Sequence, residues 1–230
     1  MATSKRYDDS TAPDTARHAH TGAWVARILR ERIAAGQLTP GRKLSEQSLS
    51  AALGVSRNTL REAFTALAGE AVITRIPNRG VFVAAPGAHD VREIYSVRRM
   101  IEPAAVLWGD ASTQRLAAMD RIVEKSVSAR ATGAVASMAD SNQALHEAVI
   151  GLTGSESLRL LMARVLAQMR LVFHAMASAY DFHSHYVDRN VRLVELLRAG
   201  QRDAAAAMLR DYLDDAEAEL LQQITQDAPV

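Results

Sequence analysis

Residues 44–70, LSEQSLSAALGVSRNTLREAFTALAGE, contain two helical patterns separated by only two residues, Gly54 and Val55. Each pattern follows a serine, Ser45 or Ser56, whose side chain can accept a hydrogen bond from the free amides at the start of a helix. A short helix, a tight turn and a second helix form the layout of a helix-turn-helix. This stretch therefore predicts a helix-turn-helix with the longer helix second.

The residues on either side supply the other elements of a winged helix-turn-helix. Before the motif, apolar residues recur at helical spacing over 24–35, and Gly36 ends that pattern. After it, residues 72–76 (VITRI) and 81–83 (VFV) are rich in β-branched and aromatic residues and flank the turn PNRG at 77–80. The order predicted is therefore a helix, the helix-turn-helix and a two-stranded hairpin.

The chain divides into two domains near AAPGAHD (84–90), where small residues, a proline and a glycine interrupt the periodicity. We predict a disordered arm over 1–20, a winged helix-turn-helix over 21–84, a linker over 85–90 and an all-α helical bundle over 91–226. The fold class expected is mainly α. The second domain should contain six helices with glycines at several of their breaks, over 89–108, 113–130, 135–151, 156–178, 182–199 and 202–226.

Charge is unevenly distributed along the chain, although the overall charge is only +1. Residues 21–85 carry nine Arg or Lys against four Asp or Glu, whereas residues 86–230 carry 15 against 19. A basic segment suits a polyanion such as nucleic acid. The more acidic remainder indicates a second module with another task.

Composition also excludes several classes of protein. The chain has no cysteine, so disulfides, a thiolate nucleophile and a cysteine zinc site are all excluded. No apolar run approaches the roughly 20 residues that span a bilayer. Residues 1–20 lack the apolar segment of a signal peptide. We therefore expect a soluble, cytoplasmic protein with no membrane partner.

The second helix of the motif has a core face and a polar face. Leu60, Phe64 and Leu67 recur at i, i+4 and i+7 and should face the core. The opposite face opens with arginine, amide and hydroxyl side chains, where a recognition helix enters the major groove. Arginine can fork onto guanine or phosphate, and amides and hydroxyls can address base edges. Double-stranded DNA is the expected partner, and the candidate contacts in this helix and at the hairpin tip are Ser56, Arg57, Asn58, Thr59, Arg61, Arg79 and Gly80.

The first domain also resembles the DNA-binding domain of GntR-type bacterial transcription regulators. The resemblance implies that Arg57, Thr59 and Arg61 contact DNA and that Arg42 and Gln47 lie beside phosphates. Many relatives have Thr-Pro after the Ser-Arg, whereas this chain has Asn-Thr, so an operator sequence does not transfer from them. The shared motifs are G-x-L-x-P-G at 36–41, L-x-x-x-L-G-V-S-R at 49–57, L-R-E-A at 60–63 and R-G-V-F-V at 79–83.

The second domain resembles the helical FCD effector domain of the FadR-like branch of that family. The similar stretches are IYSVRRMIEPAAVLW (94–108), ADSNQALHEAVIGLTGSESL (139–158) and LVELLRAGQRDAAAAMLRDYL (193–213). Six predicted helices match the shorter, VanR-type form of this domain. The resemblance implies a domain that binds a small-molecule effector.

Several polar residues stand on otherwise apolar helices of this domain. Arg98 precedes Glu102 by one helical turn, so the two can pair along one face. An interior with an arginine, a histidine, two amides and a phenol suits a small carboxylate, which arginine can hold with a bidentate fork. The candidate effector-binding residues are Arg98, Asn142, His146, Asn190 and Tyr212.

Many members of the resembled family hold a divalent metal with one Asp or Asn and three histidines. Asn142 and His146 match the first two positions, but Asn190 and Tyr212 stand where the other two histidines would be. A neutral site with one imidazole is a poor metal cage. We expect no metal and no other cofactor, with a divalent ion at Asn142 and His146 as the disfavoured alternative. Three other histidines are interpreted as core or pocket-rim (His174) and as a solvated helix start (His183 and His185).

Apolar residues in 156–178 and 202–226 exceed what one core needs and indicate a dimer face. Two-fold regulators bind palindromic operators because each subunit fills one half-site. We predict a homodimeric regulator, a repressor, whose operator affinity is controlled by a small organic acid or related metabolite. No catalytic motif is present, so an enzyme is not expected. Two alternatives remain: an architectural DNA-binding dimer without an effector, and a metal-dependent enzyme built on the histidines.

Overall fold

The computed structural model describes residues 15–34, 36–175 and 180–226 of the 230-residue chain. The fold is mainly α, with a small sheet in the first domain. The elements are α1 (Thr15–Ala34), β1 (Lys43–Leu44), α2 (Glu46–Leu53), α3 (Arg57–Gly69), β2 (Ile73–Ile76), β3 (Gly80–Val83), α4 (Ala88–Trp108), α5 (Thr113–Ala131), α6 (Val135–Gly151), α7 (Glu156–Ala175), α8 (Tyr180–Arg198) and α9 (Arg202–Gln226).

The first helix is longer than its periodic stretch indicated. Helix α1 begins at Thr15, so residues 15–20, predicted as part of the arm, are helical. Residues 1–14, the rest of that predicted arm, lie outside the described residues. Among the side chains that the structure describes in this helix, the buried apolar stripe begins at Val25, the same stretch from which the sequence pattern was read.

Both serines cap their helices as the sequence predicts. The Ser45 hydroxyl oxygen accepts a hydrogen bond from the amide of Ser48 at 3.2 Å, and the Ser56 hydroxyl oxygen accepts one from the amide of Thr59 at 3.1 Å. Gly54 ends α2 with a φ of +66°, a conformation that strains residues with a Cβ. The helix-turn-helix is thereby confirmed.

The wing is a three-stranded antiparallel sheet rather than a two-stranded hairpin. The strand order is β1-β3-β2, with Leu44 opposite Val81 and Ile73 opposite Val83. Strand β1 has only two residues, too few for an alternating pattern to reveal it in the sequence. It fastens the start of the helix-turn-helix to the wing.

Helices α4–α9 confirm the six-helix domain. The structure places α4 against α6, α7 and α9, and the apolar core of the bundle includes Tyr95, Leu145 and Leu213. Helix α4 begins at Ala88, so the last three residues of the predicted linker are helical. The predicted end of α7, residues 176–178, lies outside the described residues.

Helix α7 of the helical domain packs against the winged helix. Its residue Leu171 is buried in the apolar core of the winged helix, in one cluster with Leu29 and Phe64. The two domains therefore share apolar packing and are not connected by the chain alone.

Candidate DNA interface and effector site

Helix α3, the second helix of the motif, has a buried apolar face and an exposed polar face. Leu60, Phe64 and Leu67 are fully buried against the domain core. Arg57 and Arg61 are exposed on the opposite face, near the start of the helix. The helix therefore presents its first turn, with two cations, to the outside of the domain.

Thr59 does not belong to that exposed face. Its side chain is buried, with 4% of its surface exposed, and its hydroxyl lies 2.8 Å from the hydroxyl oxygen of Ser56. The placement of Thr59 on the exposed polar face of α3 is wrong, because its hydroxyl is used at the cap of the helix, and its contact with DNA stays a prediction. Asn58 is exposed and donates a hydrogen bond to Glu62 at 3.0 Å.

Arg61 bridges the two helices of the motif. Its Nη2 atom lies 3.1 Å from the Glu46 carboxylate at the start of α2, and 63% of the arginine side chain is exposed. Exposed ion pairs of this kind contribute only about 0–1 kcal/mol, so a phosphate can replace Glu46 as the partner of Arg61 at little cost. Arg57 has no ion-pair partner among the described residues.

The wing tip supplies further exposed cations. Gly80 follows Arg79 with a φ of +109°, and both Arg79 and Lys43 approach the ring of Phe82, at 6.0 and 5.9 Å from its centroid. Arg42 is exposed and donates to the Gln37 carbonyl oxygen at 3.1 Å. Gln47 is exposed in the first turn of α2.

A buried polar cluster lies inside the helical domain. Glu102 stands at its centre, because its Oε1 accepts a hydrogen bond from Arg98 Nε at 2.7 Å and its Oε2 lies 2.7 Å from His146 Nδ1. Arg98, Glu102 and His146 are each at most 2% exposed. The pairing of Arg98 with Glu102 along α4 is as predicted, and α6 adds the histidine.

The remaining candidates join the same cluster through Asn142. Asn142 Oδ1 accepts hydrogen bonds from Asn190 Nδ2 and from the Tyr212 hydroxyl, both at 2.8 Å. The Tyr212 oxygen also lies 3.2 Å from His146 Nε2. The structure thus brings all five predicted residues together, from helices α4, α6, α8 and α9.

The electrostatics of the cluster fix three protonation states at neutral pH. Burial alone would raise the pKa of Glu102, but the charge of Arg98 and the hydrogen bonds of Arg98 and His146 outweigh it and lower that pKa to about 2. Burial lowers the pKa of His146 below its ordinary value, although Glu102 opposes the change. Arg98 and Glu102 are therefore charged, His146 is neutral, and their net charge is zero.

Hydrogen-bond counting shows that the cluster is not fully satisfied. Arg98 Nη2 is buried and has no acceptor among the described residues, while its guanidinium carbon lies 4.8 Å from the centre of the Tyr95 ring. The Tyr212 hydroxyl has one proton for two neighbours, Asn142 Oδ1 and the second ring nitrogen of neutral His146. An oxygen-bearing ligand beside Arg98 would satisfy the free N–H.

The residues present do not fit a divalent metal. Asn142 and His146 face Asn190 and Tyr212, so the four side chains offer one imidazole and no carboxylate. In the described part of the chain, no group of three or more His, Cys, Asp or Glu is arranged to hold a metal ion. Glu102 Oε2 already contacts His146 Nδ1.

Two other histidines, His183 and His185, lie on α8. The prediction of His183 as a solvated residue is wrong, since it is 4% exposed and packs edge-on against Phe173 and Phe182. Phe182 is its neighbour in sequence, but Phe173 lies on α7. A local sequence pattern therefore does not reveal that His183 is covered. His185 is exposed as predicted. The side chain of His174 lies outside the described residues.

No helix in the described ranges is both long enough and apolar enough to cross a membrane.

Comparison with protein families assigns both domains. Residues 21–83 match the model described as "Bacterial regulatory proteins, gntR family", and residues 93–215 match the model of the FCD domain.

Two individual proteins show similarity over most of the chain, and a third over about a third of it. A crystal structure described as a putative transcriptional regulator GntR from Rhodococcus sp. RHA1 is 38% identical, with a TM-score of 0.82, and the match covers 89% of this chain and 98% of that one. The Nta operon transcriptional regulator of Aminobacter aminovorans is 25% identical over 190 residues, 80% of this chain and 87% of its own length. The gluconate operon transcriptional repressor of Bacillus subtilis is 40% identical over 84 residues, 36% of this chain and 34% of its own.

Proposed function

This chain belongs to the gntR family of bacterial regulatory proteins, as a DNA-binding transcription regulator with an FCD effector domain and not an enzyme, and from this we propose that it is a repressor released by a small organic acid. Repression is supported by the name of the similar gluconate operon protein. The observation that carries the effector proposal is the unsatisfied N–H of Arg98 inside the polar cluster.

We assign DNA contact to the first turn of α3, the start of α2 and the wing. Arg57 and Arg61 are the exposed cations nearest the positions where a recognition helix meets bases and phosphates. Ser56, Asn58, Gln47 and Arg42 extend this face toward the backbone. Arg79 and Gly80 form the wing tip, and Thr59 contributes indirectly by holding the cap of α3.

A carboxylate is the effector group that the cluster suits. Arg98 already holds one carboxylate, that of Glu102, through Nε, and its Nη2 remains free for an oxygen of a second one. Asn190, Asn142 and Tyr212 supply amide and hydroxyl groups for the hydroxyl or carbonyl oxygens of a small organic acid. No metal takes part in this proposal.

Effector binding would act on DNA through the helices that hold the cluster. Arg98 and Glu102 lie on α4, which follows the wing after a short connection, so a shift of α4 changes the position of the winged helix. The ligand changes operator affinity only by the ratio of its affinities for the two arrangements.

The test measures, by fluorescence anisotropy, whether lactate, gluconate, succinate or benzoate releases the protein from operator DNA. The matched variants are Arg98→Gln/Glu102→Gln, which removes both buried charges, and Arg192→Gln/Glu195→Gln, which removes an exposed pair. We expect one acid to release wild type and the exposed-pair variant but not the buried-pair variant. Equal release of all three proteins would exclude Arg98 as the carboxylate site, and no release by any carboxylate would favour the architectural alternative.

We further propose a homodimer on a palindromic operator. Several large apolar side chains are exposed on the helical domain, among them Met100 (77%) and Trp108 (82%) on α4 and Leu160 (59%) and Leu161 (52%) on α7. Large exposed apolar patches mark interaction sites, and we assign the dimer face to these side chains. Sedimentation of wild type should give a dimer, and Trp108→Glu should shift it toward monomer. A wild-type monomer at micromolar concentration would contradict the proposal.

A further inference from the structure

A cavity lies between the two domains, and its lining contains none of the residues of the polar cluster around Arg98. Its volume is about 760 Å³, within the range of roughly 300–1,000 Å³ that is typical of small-molecule sites. Helix α1, the end of α3 and Val72 form one wall, and helices α6 and α7 form the other. Sites of this size occur preferentially between domains.

Two charged side chains that line the cavity, Arg164 on α7 and Glu147 on α6, differ from the other charged residues of its lining. Among the side chains that the structure describes, Arg164 has no acidic partner and Glu147 has no basic one. The other charged residues that line the cavity, on both walls, are each held in an ion pair. Those pairs are Arg27–Glu31, Arg30–Glu70, Arg159–Glu156 and Arg170–Asp140.

Gln143 adds a hydrogen-bond acceptor beside Glu147. Its Nε2 donates to the Leu166 carbonyl oxygen at 3.0 Å and approaches Glu147 Oε1 at 3.3 Å, which fixes the orientation of the amide. Its Oε1 is buried and has no donor among the described residues, and the side chain is only 6% exposed. An amide oxygen and a carboxylate side by side match an ammonium group, which has three donors and no acceptor.

The floor of the cavity is apolar and comes from both domains. Ile33 and Val72 of the winged helix face Ile150, Met162 and Leu166 of the helical domain, and each of these side chains is at most 3% exposed. The wall therefore combines an unpaired cation, an unpaired carboxylate with a free amide oxygen, and an apolar surface.

We propose that this cavity binds an amino acid with an apolar side chain. The ammonium group lies at Glu147 and Gln143, the carboxylate at Arg164, and the side chain on the apolar floor. A ligand held there contacts both domains, so its affinity depends on their arrangement and its binding changes operator affinity. The site is independent of the Arg98 cluster, and the failure of either proposal leaves the other intact.

The experiment is calorimetric titration of the full chain with L-phenylalanine and L-leucine. 3-Phenylpropanoate lacks the ammonium group of phenylalanine, and phenethylamine lacks its carboxylate. Because each lost charge-assisted contact is expected to cost about tenfold or more in affinity, both analogues should bind at least about tenfold more weakly than phenylalanine. 3-Phenylpropanoate binding as tightly as phenylalanine would overturn the assignment of an amino acid.

Two variants locate the site. Arg164→Gln should weaken phenylalanine about tenfold and abolish its advantage over phenethylamine, whereas Glu147→Gln should abolish its advantage over 3-phenylpropanoate. Arg121→Gln and Glu124→Gln, which change exposed charges on α5, are the matched controls. Equal effects of the α5 controls would overturn the site.

Gly151→Leu tests the cavity without removing a contact. Gly151 is the last residue of α6 and lines the cavity, and a Cβ there meets no heavy atom within 4 Å. The leucine should take up space that the ligand needs, abolish phenylalanine binding and leave the melting temperature unchanged or higher. Retained binding in this variant, or no binding of either amino acid to wild type, would overturn the proposal.

Discussion

Replacing Glu102 by glutamine should destabilise the helical domain far more than any exposed charge change. Arg98 and Glu102 are 1% and 0% exposed, and the carboxylate contacts Arg98 Nε and His146 Nδ1, both at 2.7 Å. Glutamine keeps the shape but leaves the Arg98 charge buried without a counter-charge. Removing one partner of a buried pair typically costs about 3–5 kcal/mol of unfolding free energy. We expect a loss in this range from urea unfolding followed by circular dichroism.

The controls separate charge burial from loss of contacts. Glu195→Gln breaks an ion pair with Arg192 whose side chains are 50% and 60% exposed, and it should cost at most about 1 kcal/mol. Arg98→Met/Glu102→Met removes both buried charges and should be no less stable than Glu102→Gln, since neither charge is left unpaired. A cost of Glu102→Gln below about 1 kcal/mol would refute this reasoning. So would a cost of Arg98→Met/Glu102→Met that equals the sum of the costs of Arg98→Met and Glu102→Met measured singly.

Three further predictions follow from the contacts. Tyr212→Phe removes the hydroxyl between Asn142 and His146 and should cost about 1–3 kcal/mol in urea unfolding; no loss would mean that these neighbours find other partners. Ser45→Ala and Ser56→Ala should each cost about 1 kcal/mol of unfolding free energy. Ser157 is an exposed serine that caps no helix, so Ser157→Ala should cost almost nothing. Because the pKa of His146 is lowered in the fold, the unfolded chain binds that proton more readily, so its contribution to stability is full above the ordinary value of 6.5 and is lost as pH falls below it. Melting temperatures from pH 8 to 5 should fall more steeply for wild type than for His146→Gln, and equal slopes would contradict the buried neutral state.

The local elements of the fold follow from the sequence because short-range chemistry determines them. Ser45, Ser56 and Gly54 mark the helix-turn-helix by capping and by a left-handed turn, both of which involve only neighbouring residues. The two-residue strand β1 is different, since it exists only through its pairing with β3. The same holds for Thr59, whose burial depends on which side of the first turn the domain covers.

The sequence could predict which residues form the polar cluster but not which of them are hydrogen-bonded to each other. Helical spacing paired Arg98 with Glu102, and the family resemblance placed Asn142, Asn190 and Tyr212 together. The bond between Glu102 and His146 joins residues 44 positions apart and depends on how α4 and α6 pack. The cavity between the domains had no sequence signal, because Gln143, Glu147 and Arg164 look like ordinary helix-surface residues until the winged helix is placed beside them.

The most direct test of the regulator account is selection of binding sites from random double-stranded DNA by the purified full chain. Wild type should enrich a two-fold symmetric motif, and Arg57→Ala/Arg61→Ala should fail to enrich it while keeping the wild-type fold. The selected motif also supplies the operator for the effector titrations. Binding without any enriched sequence, lost only as salt rises, would contradict a sequence-reading repressor.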